Sequence, residues 1–325
     1  RYKKKLPLQN FFPDLKNEIS LKNHKIRLTF KDDVLQIKGA GGLLIQNEID
    51  TIDYDIKKIK NDFHFKILLN LLKNPLSINL IKYFKEKNTN SQILIEGVLN
   101  HNKQTQFKSI SLEESKNKIL IKNLFLNENF KILKMDSFTL NLMNKDKINN
   151  QINIKRNKKN YIINGNSFDI TEIIKNVLNS KSKEGLSSLL KKDKSQIVIN
   201  ISKVFLDKEY PINNFNGTVN IKNSEILDLN LNSSFDDQKR IAMTIQRNSG
   251  EKITTFYSDY AKPIVRKYKF IKGFEEGALD FYSIQKNGVS SSQLKIYDFK
   301  LKKLPVLTKI LTLASLQGIA DILSG

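Results

Sequence analysis

Apolar and polar residues alternate in short runs along most of this chain. Ile52, Tyr54 and Ile56 alternate with Asp53, Asp55 and Lys57. Phe63, Phe65 and Ile67 follow the same rule, as do Ile93, Ile95 and Leu99, then Phe138, Leu140 and Leu142. Ile152 and Ile154 precede a turn rich in Asn and Lys, and Tyr161 and Ile163 follow it. Further on come Ile197, Ile199 and Ile201, Val219 and Ile221, Leu227, Leu229 and Leu231, and Ile241, Met243 and Ile245. Period-two alternation bounded by Asn, Asp, Gly and Lys predicts strands. One apolar face and one face of Asn, Lys, Asp, Thr or Ser predicts an antiparallel sheet wetted on one side. About 20 such strands at roughly 4.8 Å each would make a sheet roughly 90–100 Å long. Sheets of that length curl or split, and curling with the apolar face inward makes a gutter. The expected fold is therefore mainly β: a long curled antiparallel sheet, with a few short helices at its edges and C-terminus.

Three segments leave the pattern. In 169–190, Asp169 and Glu172 resemble a capping box. Ile170, Ile173, Ile174, Val177 and Leu178 then recur at helical spacing. In 258–270, Tyr260, Ile264, Val265 and Tyr268 share a helical face, and Pro263 is tolerated near the helix start. In 304–323, Pro305 suits a first helical turn. Leu307, Ile310, Leu311 and Ala314 make a wide apolar face there, with Thr308, Thr312 and Ser315 as the polar stripe. Lys309, Gln317 and Asp321 argue against a membrane span; a cap at the end or mouth of a groove fits better. The polar stretch 144–160 separates a β-rich segment, 1–160, from a region, 161–325, that holds all three helices. The start at Arg1 and the end directly after an apolar run lead us to expect a piece of a longer protein.

Composition narrows the function classes. Hydrophobic residues are 39% of the chain, enough for a core or an apolar channel rather than disorder. Lys+Arg is 55 against 33 Asp+Glu, a net charge of +22. Two readings of that charge stay open: an anionic partner, or compositional drift in which Lys, Asn and Ile rise together. There is no cysteine, so thiolate metal sites, disulfides and Cys nucleophiles are absent. His24, His64 and His101 show no ligand or triad spacing, and neither a GxSxG elbow nor a P-loop is present. Gly39-Ala40-Gly41-Gly42 leads into Leu43, Leu44 and Ile45 rather than a helix, so a turn or bulge is expected there. The pairs Glu113-Glu114, Asp236-Asp237 and Glu275-Glu276 are adjacent in sequence, and adjacent residues of a strand face opposite ways. No enzyme, metal site or cofactor is expected. Nucleic acid is not expected either, because Phe63 and Phe65 take the apolar side of their strand instead of lying among the basic residues.

The C-terminal half carries a family resemblance. The residues are Phe256-Tyr-Ser-Asp-Tyr-Ala261, Tyr268, and Gly273-Phe-Glu-Glu-Gly277-Ala-Leu-Asp-Phe281. After these come Leu294-Lys-Ile-Tyr-Asp298-Phe299, Leu304-Pro305-Val-Leu, and Leu313-Ala314-Ser315-Leu316-Gln-Gly318 through Asp321 to Gly325. This succession resembles the closing passage of AsmA-like proteins, in particular their YhdP branch. Ser167-Phe-Asp169-Ile resembles the family's helix start, and Asn214-Phe-Asn-Gly217-Thr-Val-Asn one of its strand openings. Good resemblance covers about 165–325; residues 1–160 match in texture alone. Glu276-Gly277 stands where the family has paired glycine, and Lys262 where a glycine usually follows Ala261.

The resemblance implies a β-taco segment in the periplasm. A preceding N-terminal helix would anchor it in the inner membrane, and phospholipid acyl chains would pass along it toward the outer membrane, supporting outer-membrane integrity. The family has no catalytic residues to carry over. The groove residues so implied are Ile197, Ile199, Ile201, Leu227, Leu229, Leu231, Ile241, Met243 and Ile245, with Leu307, Ile310, Leu311 and Ala314 of the last helix turned inward as a cap. Two other readings stay open: a scaffold for outer-membrane proteins, as proposed for the relative TamB, and a purely structural β-solenoid whose closed core would use the same alternation.

Overall fold

The structure is a computed structural model that describes residues 11–15, 19–102, 104–174, 195–223, 225–248, 250–267 and 273–301. The described residues form twenty strands, eighteen of them in one long, mostly antiparallel sheet that does not close into a barrel. The chain divides into two compact units, Arg1–Arg156 and Asn157–Gly325.

The first unit opens with β1 (Ser20–Lys31), β2 (Val34–Leu44), β3 (Ile49–Ile59) and β4 (Asp62–Leu71), each antiparallel to the one before. Between β1 and β2 the loop is Asp32-Asp33, both at positive φ (50° and 60°), the backbone that a tight hairpin with right-handed twist requires. A small two-stranded hairpin then interrupts the run: β5 (Leu76–Ile78) and β6 (Tyr83–Lys85), with a 3-10 turn at Asn79–Ile81. The sheet resumes with β7 (Ser91–Leu99), β8 (Thr105–Glu114) and β9 (Asn117–Leu126). It goes on through β11 (Ser137–Met143) and β12 (Asn149–Asn157), while the short β10 (Ile132–Lys134) folds back on the end of β9.

The second unit holds β13 (Asn160–Asp169), β14 (Ser195–Phe205), β15 (Pro211–Lys222), β16 (Glu225–Ser234), β17 (Arg240–Asn248), β18 (Glu251–Ser258), β19 (Phe274–Lys286) and β20 (Val289–Leu301). From β14 onward each strand is antiparallel to its predecessor. The β13–β14 pair is the parallel exception in this mostly antiparallel sheet. A parallel neighbour needs a long crossover instead of a hairpin, and residues 170–194 lie between these two strands.

The expected helices stand as follows. Of 169–190, Asp169 ends β13, residues 171–174 are helical, and 175–190 lie outside the described residues. Asp169 caps that turn by accepting from the Thr171 amide at 2.9 Å. In 258–270 the helix is Lys262–Lys267, with Pro263 in its first turn. Its Val265 and the preceding Ala261 are fully buried against Phe274, Leu279 and Phe281. The Ala261 amide donates to the Gly277 carbonyl at 2.6 Å. Gly277 is at φ +76°, and a Cβ there would meet Phe299 at 2.9 Å, so glycine serves both the backbone and the fit. The cap expected over 304–323, with Leu307, Ile310, Leu311 and Ala314, lies outside the described residues. Among those described, no helix is long and apolar enough to cross a membrane.

Gly39-Ala40-Gly41-Gly42 is not a turn but the middle of β2, and the register irregularity at this point lies opposite it on β1, between Lys22 and Lys25. A Cβ on Gly39 would lie 2.3 Å from the Tyr54 ring, and one on Gly41 would lie 2.5 Å from the His24 ring. The glycines leave a bare backbone on which two stacked rings lie, 5.9 Å between centroids.

Candidate apolar groove

Register, not sequence alone, decides what lies beside what. In the first unit it aligns the apolar face of seven strands into two continuous rows. One passes through Ile52, Leu69, Ile93, Leu112, Ile119, Leu140 and Ile152. The other passes through Tyr54, Ile67, Ile95, Ile110, Ile121, Phe138 and Ile154. A shorter third row joins Ile56, Phe65, Gly97, Phe107 and Leu124; a Cβ on Gly97 would meet the Phe65 ring at 2.6 Å, so glycine makes room for it.

Burial along these rows is uneven. Every member of the Tyr54–Ile154 row is half-buried. Residues of a face packed against a second sheet would lose nearly all their exposure. The first row passes from half-buried at Ile52, Leu69 and Ile93 to fully covered at Leu140.

The covering along one lip comes from the β5–β6 hairpin and the loop before it. Asp50, buried at the start of β3, accepts from the backbone amides of Leu72, Lys73 and Asn74 at 2.8–3.0 Å and from Asn74 Nδ2 at 2.8 Å. Lys85 is fully buried and donates Nζ to the carbonyls of Leu72 (3.0 Å) and Asn74 (2.8 Å). Burial lowers its pKa from the ordinary lysine value, with Asp50 and Glu114 opposing the shift. Gln46 accepts from the Asp14 amide and donates to the Pro75 carbonyl, both at 2.9 Å. At the far side, buried Tyr83 donates to Glu114 at 2.6 Å, and Lys82 meets Asp146 at 2.8 Å. Burial first, and Glu114 second, push the Tyr83 pKa well above the ordinary phenol range. The hairpin is thus fastened to β3, β8 and the loop after β11.

The opposite lip carries no such cover among the described residues. Phe63 and Leu99 are exposed there. Lys58 stands on the apolar face of β3, where alternation would put a hydrophobe, between Leu35 and Phe63 across the strands.

In the second unit the nine sequence-predicted residues mostly come together. Leu229 and Ile245 are buried with Val219 and Ile221, and Ile197, Ile199, Leu231 and Met243 pack against them. Register aligns Ile199, Gly217, Leu231, Met243, Phe256, Phe281 and Leu294 into one row. Ile201 and Ile241 are buried one step along their strands. Leu227 is the exception. The β15–β16 register shifts between Asn220 and Ile221, so Ile226 pairs with Ile221 and takes the apolar place expected of Leu227. A parallel row turns polar, running from Ile197, Val219, Leu229 and Ile245 to Thr254, Ser283 and Ser292. Lys252, near one lip, is buried on the same face, and its pKa is lowered by desolvation and by Arg247.

The titratable groups singled out in the sequence have separate structural partners. Glu113 pairs with Lys118 and Glu114 with Tyr83; Asp237 pairs with Lys239, while Asp236 accepts from Asn213. Glu275 pairs with Lys262 and Glu276 with Lys300. His24 stacks on Tyr54 and bonds the Gly42 carbonyl, and His101 lies 3.6 Å from Asp62. Among the described residues no three His, Asp or Glu side chains gather as a metal site would require. Lys85, Asp50 and Tyr83 were missed by sequence reasoning, which has no signal separating a buried lysine from a solvated one.

No family model, curated protein or solved structure matches the chain.

Proposed function

We propose that the chain is a non-enzymatic lipid-binding segment whose apolar rows receive acyl chains, part of a phospholipid conduit between inner and outer membranes. The observation that carries this reading is the half-buried row from Tyr54 to Ile154, which crosses seven strands with an apolar side chain on each. Six inter-strand steps of about 4.8 Å give it a length of roughly 29 Å. Each CH₂ moved out of water is worth about 0.8 kcal/mol, so an acyl chain leaves a bilayer readily only for a continuous apolar bed. Lys58 at the uncovered lip suits an anionic headgroup that stays wet while its chains lie inward. The AsmA-like resemblance of the C-terminal half supports the same reading, along with periplasmic location and an inner-membrane anchor outside this chain.

A fluorescent fatty-acid probe tests it. The purified chain should enhance the probe's emission, unlabelled phospholipid should displace it, and Ile95→Glu in the middle of the row should weaken binding by about tenfold or more. Undiminished binding by Ile95→Glu, or no binding at all, would remove the groove from consideration.

A further inference from the structure

On the polar face of the first unit, one cross-strand row passes through Glu96, Lys66, Asp55, Lys38 and Arg27. Glu96 and Lys66 are 2.7 Å apart, and Lys38 is 3.6 Å from Asp55. The charges alternate until β1, where Arg27 stands opposite another cation, Lys38. Like charges directly across strands are unfavourable. Among the described residues Arg27 has no carboxylate partner. The row lacks its next, acidic member.

The backbone says the same. β1 pairs with β2 on one side, and its other side has no partner strand among the described residues. From Lys25 to Lys31 its register is regular, and the irregularity that could blunt the edge is confined to Lys22–Lys25. On the apolar face Ile26, Leu28 and Phe30 are 55%, 66% and 71% exposed; the rows of Ile26 and Leu28 are half-buried two strands further in, at Tyr54 and Ile56, while that of Phe30 leads to the exposed Lys58.

We propose that Lys25–Lys31 is an acceptor for an added strand, supplied by a partner polypeptide in which apolar residues alternate with Asp or Glu. An acid opposite Arg27 continues the charge alternation, and its two neighbours cover Ile26 and Leu28. Main-chain hydrogen bonds supply affinity and the alternating side chains select the partner. A second copy of the chain does not fit, since pairing β1 with itself sets the face bearing Lys25, Arg27 and Lys31 against the same cations. Residues 1–10, with Arg1, Lys3, Lys4 and Lys5 and no carboxylate, do not fit either.

The test is hydrogen exchange of the full chain with a short peptide alternating Val and Asp, against one alternating Val and Lys. The acidic peptide should slow exchange across Lys25–Lys31 and the basic one should not. Arg27→Gln should weaken the acidic peptide's protection by roughly threefold or more, and Arg27→Glu should reverse the preference. Three results overturn the proposal: no protection from either peptide, equal protection from both, or protection that rises with protein concentration in the absence of peptide. Should the variants fold poorly, the contrast between peptides on the unaltered chain decides the matter.

Discussion

Tyr83 Oη donates to the carboxylate of Glu114 at 2.6 Å, joining a hairpin that is not part of the large sheet to the end of one of its strands. A hydrogen bond to a charged group contributes about 1.5–3 kcal/mol. Glu114 also receives Asn117 Nδ2 at 3.0 Å and so keeps one donor without the tyrosine. Tyr83→Phe should therefore lower stability by about 1–3 kcal/mol. The check is urea unfolding, with a lower midpoint and an unchanged slope, together with faster amide exchange over Leu76–Lys85.

Asp50 carries more. Its carboxylate satisfies three successive backbone amides and lies near the buried Lys85 ammonium. Removing one partner of a buried charge costs about 3–5 kcal/mol. Asp50→Ala should lose at least about 3 kcal/mol, and Asp50→Asn less, because the amide oxygen still accepts. Chemical denaturation of the two variants side by side reads the difference.

These two residues mark the limit of what the sequence discloses. Alternation located the strands around Ile52–Ile56, Ile93–Ile95, Phe138–Leu142 and Ile197–Ile201, because one face of each is apolar and period two is unmistakable over five residues. It did not reveal the β5–β6 hairpin, whose three-residue strands are too short to show a period. Nor could it distinguish Lys85 and Asp50 from the solvated charges around them, since their burial follows from long-range placement of loop 72–74. The Leu227 assignment failed for a related reason: an extra residue in its own strand, at Leu227 itself, shifts the pairing with β15 and moves the apolar place to Ile226. Gly39 and Gly41 look like turn residues, and only the rings of Tyr54 and His24 lying across them explain glycine inside a strand.

Covered and uncovered ends of the groove should respond differently to truncation. Leu140 is fully buried, and Leu140→Ala should cost about 2–5 kcal/mol. Ile95 is half-buried, and Ile95→Ala should cost less, near the lower end of that range, while still weakening binding of an apolar probe. Paired thermal melts and probe titrations separate the two. Equal stability losses would mean that the Ile95 row is packed in solution.

Tyr257 donates to Asp259, and this bond, with burial second, pushes its pKa up to about 12. The folded-state pKa lies above the unfolded value of about 10, so the neutral phenol is favoured by folding. Its contribution to stability is complete below pH ~10 and is lost as the pH rises toward ~12. Absorbance titration of tyrosinate should show a component ionising near 12 that disappears in Tyr257→Phe.

The central claim, that the apolar rows hold lipid chains, is tested most directly by mass spectrometry of organic extracts of the chain purified from a bacterial envelope. The account predicts phospholipid in stoichiometric amount from the unaltered chain and strong depletion from Ile95→Glu with the fold preserved. A folded chain that yields no lipid, or equal lipid from both proteins, would contradict it.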